Sequence, residues 1–224
     1  MSKRMVFPGL FGVAGCAILI ALGVWQVQRL TWKEALLAQI DARINAEAVA
    51  VPASPDPTDD LYLPVKLSGD FSDEELHVLA SVKRRGAGYR IISVMEHGAR
   101  RIMVDRGFVA TERKDDVRSA KSVEIEGNLH WPNEVDSYTP DPDLSKNIWF
   151  ARDVELMAPA LDAEPFLVVA RASSPTEPDV PPLPIDSATI PNDHLQYAIT
   201  WFSLAVLWLG MTAYLLWRIR QRTV

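Results

Sequence analysis

Two stretches of this chain carry no charge at all, and they lie at opposite ends. Val6 to Gln28 and Tyr197 to Trp217 are almost wholly apolar, 23 and 21 residues long. At about 1.5 Å per residue, either spans a hydrocarbon core of about 30 Å. Backbone groups find no water in lipid, so only helices or closed barrels cross it. Two isolated segments cannot close a barrel, and both are therefore predicted to be transmembrane helices. The mean hydropathy of the whole chain, +0.02, conceals this, because the apolar residues are gathered at the ends.

Charge sets the expected orientation. Lys3 and Arg4 precede the first run, and Arg218, Arg220 and Arg222 follow the second. Positive flanks stay in the cytoplasm, which puts both tails there and the middle outside. Leu30 to Gln196 holds all 29 acidic residues and 17 basic ones, a formal charge of −12. A domain so acidic argues against nucleic acid as a partner. The predicted organisation is a tail at 1–5, a span at 6–28, a periplasmic domain with Pro-rich joints at 29–190, a second span at 191–217 and a tail at 218–224. The lipid bilayer is the first expected partner. Val13-Ala14-Gly15-Cys16 resembles the motif before a lipid-modified cysteine, but the apolar run continues a dozen residues beyond it, as a retained span does. Cys16 is the only cysteine, so the exported domain has no disulfide.

The middle segment reads as α+β. Thr31–Ala50 is predicted to continue outward as a helix, with Leu36, Leu37, Ile40 and Ile44 near helical spacing. Val51–Asp60 is a Pro-rich linker. Short β runs follow at 61–68, 76–82, 89–95, 102–109 and 123–129, separated by turns at Gly86-Ala87-Gly88 and His97-Gly98. Such spacing predicts a mainly antiparallel sheet of a kind that curls into a barrel. Asp153 caps a short helix to Leu161, Phe166–Ala170 makes a last strand, and Ser173–Pro191 is an extended connection. The fold class is thus a membrane protein with two transmembrane helices flanking one extracytoplasmic, mainly antiparallel β domain with short helices.

Catalytic signatures are missing. There is no Cys-x-x-Cys, no Gly-x-Ser-x-Gly and no phosphate-binding glycine loop, and no nucleophile, base and oxyanion set can be named. An enzyme is not expected. His77, His97 and His130 lack metal-ligand spacing and read as polar surface or turn positions. Lys83-Arg84-Arg85 reads as a solvated loop. His194 is different. Pro191-Asn192-Asp193 signals a helix start, with Asn192 or Asp193 as cap. On that helix His194, Tyr197, Ala198, Trp201, Ala205 and Trp208 share one face. Trp25, Gln26 and Arg29 end the first span near the same depth. An interfacial aromatic belt accounts for Trp25 and Tyr197, but Trp208 lies mid-span. A neutral imidazole is a common haem ligand; a flat macrocycle could stack on the aromatics, and Arg29 could pair with a propionate. Gly9, Gly12 and Cys16 could let the helices approach closely.

Several motifs carry a family resemblance. Leu22-Gly23-Val24-Trp25-Gln26-Val27-Gln28-Arg29 resembles a Gly-x-Trp-Gln-x-x-Arg signature. Pro64 to Phe71, Gly88-Tyr89-Arg90-Ile91-Ile92 and Val104-Asp105-Arg106-Gly107-Phe108-Val109 resemble domain motifs, and Asn192 to Phe202 resembles a second-span signature. In this order the chain resembles the Surfeit family of cytochrome c oxidase assembly proteins over essentially its whole length. It departs at Ser93-Val94, where the family usually has Thr-Pro, and at Asp105 and Phe108, where it usually has Asn and Trp. The resemblance implies an assembly factor in a bacterial inner membrane that transiently binds haem a and helps place it in the oxidase catalytic subunit. It also implies haem a synthase as a partner and His194 as the iron ligand. The site expected is His194, Tyr197 and Trp201 with Trp25, Gln26 and Arg29. The alternative is a scaffold that binds no haem and stabilises an assembly intermediate.

Overall fold

Uncharged apolar sequence of this length satisfies its backbone internally as helix. In the computed structural model, which describes residues 3–118, 122–177 and 179–221, the first run lies within α1, Lys3–Ile44. Parts of both expected tails fall outside the described residues. The second run lies within the last helix, His194–Gln221. Both are long and apolar enough to cross a membrane. The chain divides into two units, one of Met1–Gln39 with Ser187–Val224 and one of Ile40–Asp186.

The predicted helix over 31–50 is shorter than expected, because α1 stops at Ile44 and Val49–Ala50 form strand β1. The stop has a local cause. The Ile44 carbonyl accepts from Asn128 Nδ2 at 2.9 Å and from Arg171 Nη1 at 3.0 Å. A cation at a helix C-terminus suits the dipole as well as the orphan carbonyl.

The strands expected at 61–68 and 76–82 are one, β2, Pro64–Val82. The polar stretch between them continues the strand, with an irregularity between Phe71 and Glu75. Its early part, Pro64–Gly69, pairs with β5, and Asp70–Val82 pairs with β3. The remaining elements are β3 Gly86–His97, β4 Arg100–Ala110, β5 Val123–His130, β6 Ile148–Trp149, α2 Val154–Ala160 and β7 Leu167–Ser174, with α3 the last helix. Strands β2, β3 and β4 form a meander and β5 returns beside β2, a Greek key. β7 joins β5 antiparallel and β4 parallel, so β2-β3-β4-β7-β5 close into a ring. The expected curling is complete.

Alternation along the strands builds two apolar layers. Met95, Ile102, Val104, Ile125 and Val168 lie in one core. Their neighbours Val94, Met103, Leu167 and Val169 face the other way, against Trp149, the helix residues Val154 and Met157, and Leu161 just past the helix. This second layer explains why the central strands are apolar on both faces. α2 begins as expected, with Asp153 Oδ1 accepting from Glu155 N at 3.0 Å and Leu156 N at 3.2 Å.

Candidate functional site

α1 and α3 pack antiparallel through small residues. Ala198 and Ala205 of α3 are buried. On α1, an added Cβ at Gly15 would lie 2.5 Å from the Trp208 ring and at Gly23 2.7 Å from Phe202, and at Gly12 it would overlap Thr212. Glycine thus sets how closely the helices approach. Trp208 donates from Nε1 to the Gly12 carbonyl at 3.0 Å and packs on Phe11 at 5.5 Å. A mid-span tryptophan is therefore a helix-packing residue. Gly9 has open space around it and is not at this contact, whereas Gly15 and Gly23 are.

At the other end of the pair, His194 Nδ1 lies 2.8 Å from Gln26 Oε1. Gln26 is buried and His194 half-buried. The amide oxygen only accepts, so the proton of this contact sits on Nδ1, and Nε2 is the ring nitrogen left outside it. The half-buried Trp201 follows Ala198 on the same stripe. Three other expected site residues are arranged differently. Trp25 and Tyr197 are exposed on the outside of the pair. Arg29 is exposed, with its guanidinium 3.9 Å over the ring of Trp32 on its own helix. The helix start takes one of the two expected caps. Tyr197 N bonds the Asp193 carbonyl at 3.1 Å, making Asp193 the cap position, while Asn192 Oδ1 is buried without a partner.

The model of the SURF1 family matches residues 13–206. The chain belongs to the SURF1 family. It is 32% identical over 208 residues to Surfeit locus protein 1 of Homo sapiens, covering 82% of this chain and 69% of that one. Against Surfeit locus protein 1 of Mus musculus it is 31% identical over 213 residues, 84% and 69% of the two chains. A SURF1-like protein of Rickettsia felis is 31% identical over 200 residues, 84% and 88% respectively. The SURF1 match takes in Gln26, His194 and the whole barrel.

This SURF1-family barrel also holds a buried ionic centre that the sequence reading did not single out. Its only signal was two adjacent charges, Asp105 and Arg106, inside an apolar strand. Both are buried, Asp105 opposite Ile92 in the second layer and Arg106 against Phe71 in the other core, where β4 is irregular opposite Ile91 and Ile92. Asp105 is fully buried. Its Oδ2 accepts from Arg90 and, at 3.2 Å, from Arg152, while Oδ1 has no partner. Burial raises its pKa, and the two guanidinium groups oppose that. Arg152 also binds Glu134. Arg106 lies 4.3 Å over Phe71, donates to the Arg118 carbonyl at 2.8 Å and pairs with Glu177.

These groups fasten Glu177 and the 179–183 strap to the barrel. Arg90 donates to the Leu183 carbonyl at 3.2 Å, Phe108 N to the Pro181 carbonyl at 3.1 Å, and Val180 is buried.

The histidines expected on the surface are corrected in part. His77 is buried, with Nε2 2.8 Å from Glu75. His130 stacks near Tyr62, and burial, helped by Arg152, lowers its pKa to about 4. His97 sits beside its turn and bonds the Ser68 carbonyl at 2.7 Å. Lys83-Arg84-Arg85 is an exposed turn, as expected. Among the described residues no group of three or more His, Cys, Asp or Glu is placed to hold a metal.

Proposed function

We propose that this protein is an assembly factor for haem a-containing cytochrome c oxidase, holding haem a transiently at the His194 end of its helix pair. The observation that carries the reading is the 2.8 Å contact between His194 Nδ1 and Gln26 Oε1. An imidazole whose Nδ1–H is held by an acceptor presents Nε2 as a ligand in a fixed orientation, as metal-binding histidines generally do. The haem would supply the iron that accepts this lone pair. Gln26 orients the ring, and Trp201 and Ala198 continue the same stripe toward the lipid.

In this reading both tails are cytoplasmic and the barrel lies outside the bacterial inner membrane. It docks on the catalytic subunit or on haem a synthase, and no reaction is carried out by the protein itself. Trp25 and Tyr197 face outward, where lipid, a macrocycle edge or a partner helix would meet them. One neutral ligand from the chain suits exchange better than storage.

A second reading, a scaffold that binds no haem, has its own support. The Trp208 bond to Gly12 and the His194 bond to Gln26 both pin one helix to the other. The absorption spectrum of protein purified after co-expression with haem a synthesis enzymes separates the two. Haem a retained by the wild type and lost in His194→Ala supports the carrier. Haem in neither sample overturns it, and equal haem in both removes His194 as the ligand.

A further inference from the structure

Within the barrel unit, a cleft of about 550 Å³ opens between the His77 region of β2, the turn after β4 and the turn at 143–147. His77 forms part of it, with only 7% of its side chain exposed, Nε2 bound to Glu75 and Nδ1 without a partner. Lys114 is unusual, because its side chain is only 17% exposed. The carboxylate beside its ammonium, at 2.8 Å, belongs to Asp115, which is 84% exposed. At the rim Lys146, 70% exposed, meets Asp143 at 3.2 Å. Asn147 holds the rim turn in place by donating to the Glu75 carbonyl at 2.8 Å, and Ser145 completes it.

An ammonium group drawn largely out of water loses hydration that an oxyanion restores. Lys114 is such a group and Lys146 stands at the rim, each beside a single carboxylate, on a domain of formal charge −12. We propose that this cleft binds a phosphate group, with Lys114 contacting it from below and Lys146 closing on it from the rim. Asp115 turns away into solvent when the anion enters. The surrounding domain is too acidic for a nucleic-acid backbone. The phosphate belongs either to a free ion or to a phospholipid headgroup. This inference is independent of the haem reading.

The test uses the full chain in nanodiscs, with lysines selectively labelled for NMR. In discs of a galactolipid, which carries no phosphate, inorganic phosphate is titrated; in a second arm phosphatidylglycerol replaces part of that lipid and no inorganic phosphate is added. Saturable movement of the Lys114 and Lys146 signals, with Lys83 on its exposed turn unmoved, is expected in one arm. The responding arm identifies the source. Lys146→Gln, at the solvated rim, should fold normally and weaken the response about tenfold. No saturable movement in either arm, movement of Lys83 to the same degree, or an unchanged response in Lys146→Gln overturns the proposal.

Discussion

The Nδ1 atom of His194 and the Oε1 atom of Gln26 meet at 2.8 Å, joining residues 168 positions apart across two helices. If the contact orients a haem ligand, its removal should weaken haem retention about 10- to 100-fold without abolishing it. Gln26→Leu should show this loss. Gln26→Glu, which still accepts the Nδ1 proton, should retain haem. Spectra of the three proteins purified side by side check both outcomes. A purely packing role would not distinguish Glu from Leu in this way.

Gly15→Ala should loosen the helix pair. The new methyl would sit 2.5 Å from Trp208, and relieving the overlap costs about 1–3 kcal/mol. Gly9→Ala meets nothing within 4 Å and should be neutral. Thermal unfolding of the two variants in the same detergent, followed by helical circular dichroism, should separate them by several degrees.

The two apolar helices were legible because lack of charge over twenty residues is a property of the sequence alone. The stripe from His194 to Trp208 was legible from helical spacing, although Tyr197, at its edge, faces outward. The cap at Asp153 rests on contacts within one turn. What was not legible depends on distant partners. β2 reads as two strands because the polar residues from Gly69 to Glu75 interrupt its apolar pattern, and only the pairing with β5 and β3 on either part joins them. β6 is two residues long and has no pattern of its own. Asp105 and Arg106 look misplaced in an apolar strand until Arg90, Arg152 and Glu177 arrive from elsewhere in the chain. Likewise, nothing local marks Gln26 as the partner of His194.

Gly107→Ala should destabilise the barrel by at least about 2 kcal/mol. Gly107 has φ +139°, and a Cβ there would overlap the Pro181 carbonyl. The strap would have to lift from β4. Faster proteolysis within 175–186, together with a lowered unfolding midpoint, is the expected result.

Asp105→Leu should cost about 3–5 kcal/mol by leaving two buried guanidinium groups without their shared anion. Asp105→Asn should cost clearly less. It removes the desolvated charge, while Arg152 keeps Glu134 and Arg90 keeps the Leu183 carbonyl. Denaturant midpoints of the three proteins test the ranking.

His130 predicts a pH dependence. Its folded pKa of about 4 lies below the ordinary value of 6.5, so the unfolded chain binds the extra proton between those limits. This contribution is complete above about pH 6.5 and is lost as pH falls toward 4. The loss should be on the order of 3 kcal/mol. His130→Gln should flatten the stability curve across that window, measured by urea unfolding at stepped pH.

The ring formed by β2 leaves little backbone open to outsiders. Its early part lies between β5 and β1, and its later part between β3 and β6. The two short strands thus act as covers on the margins of the long one. A partner cannot readily lend a strand to such a sheet. Whatever recognises this domain must read side chains and turns, so its specificity is free to change through surface substitutions while the pairing beneath stays the same.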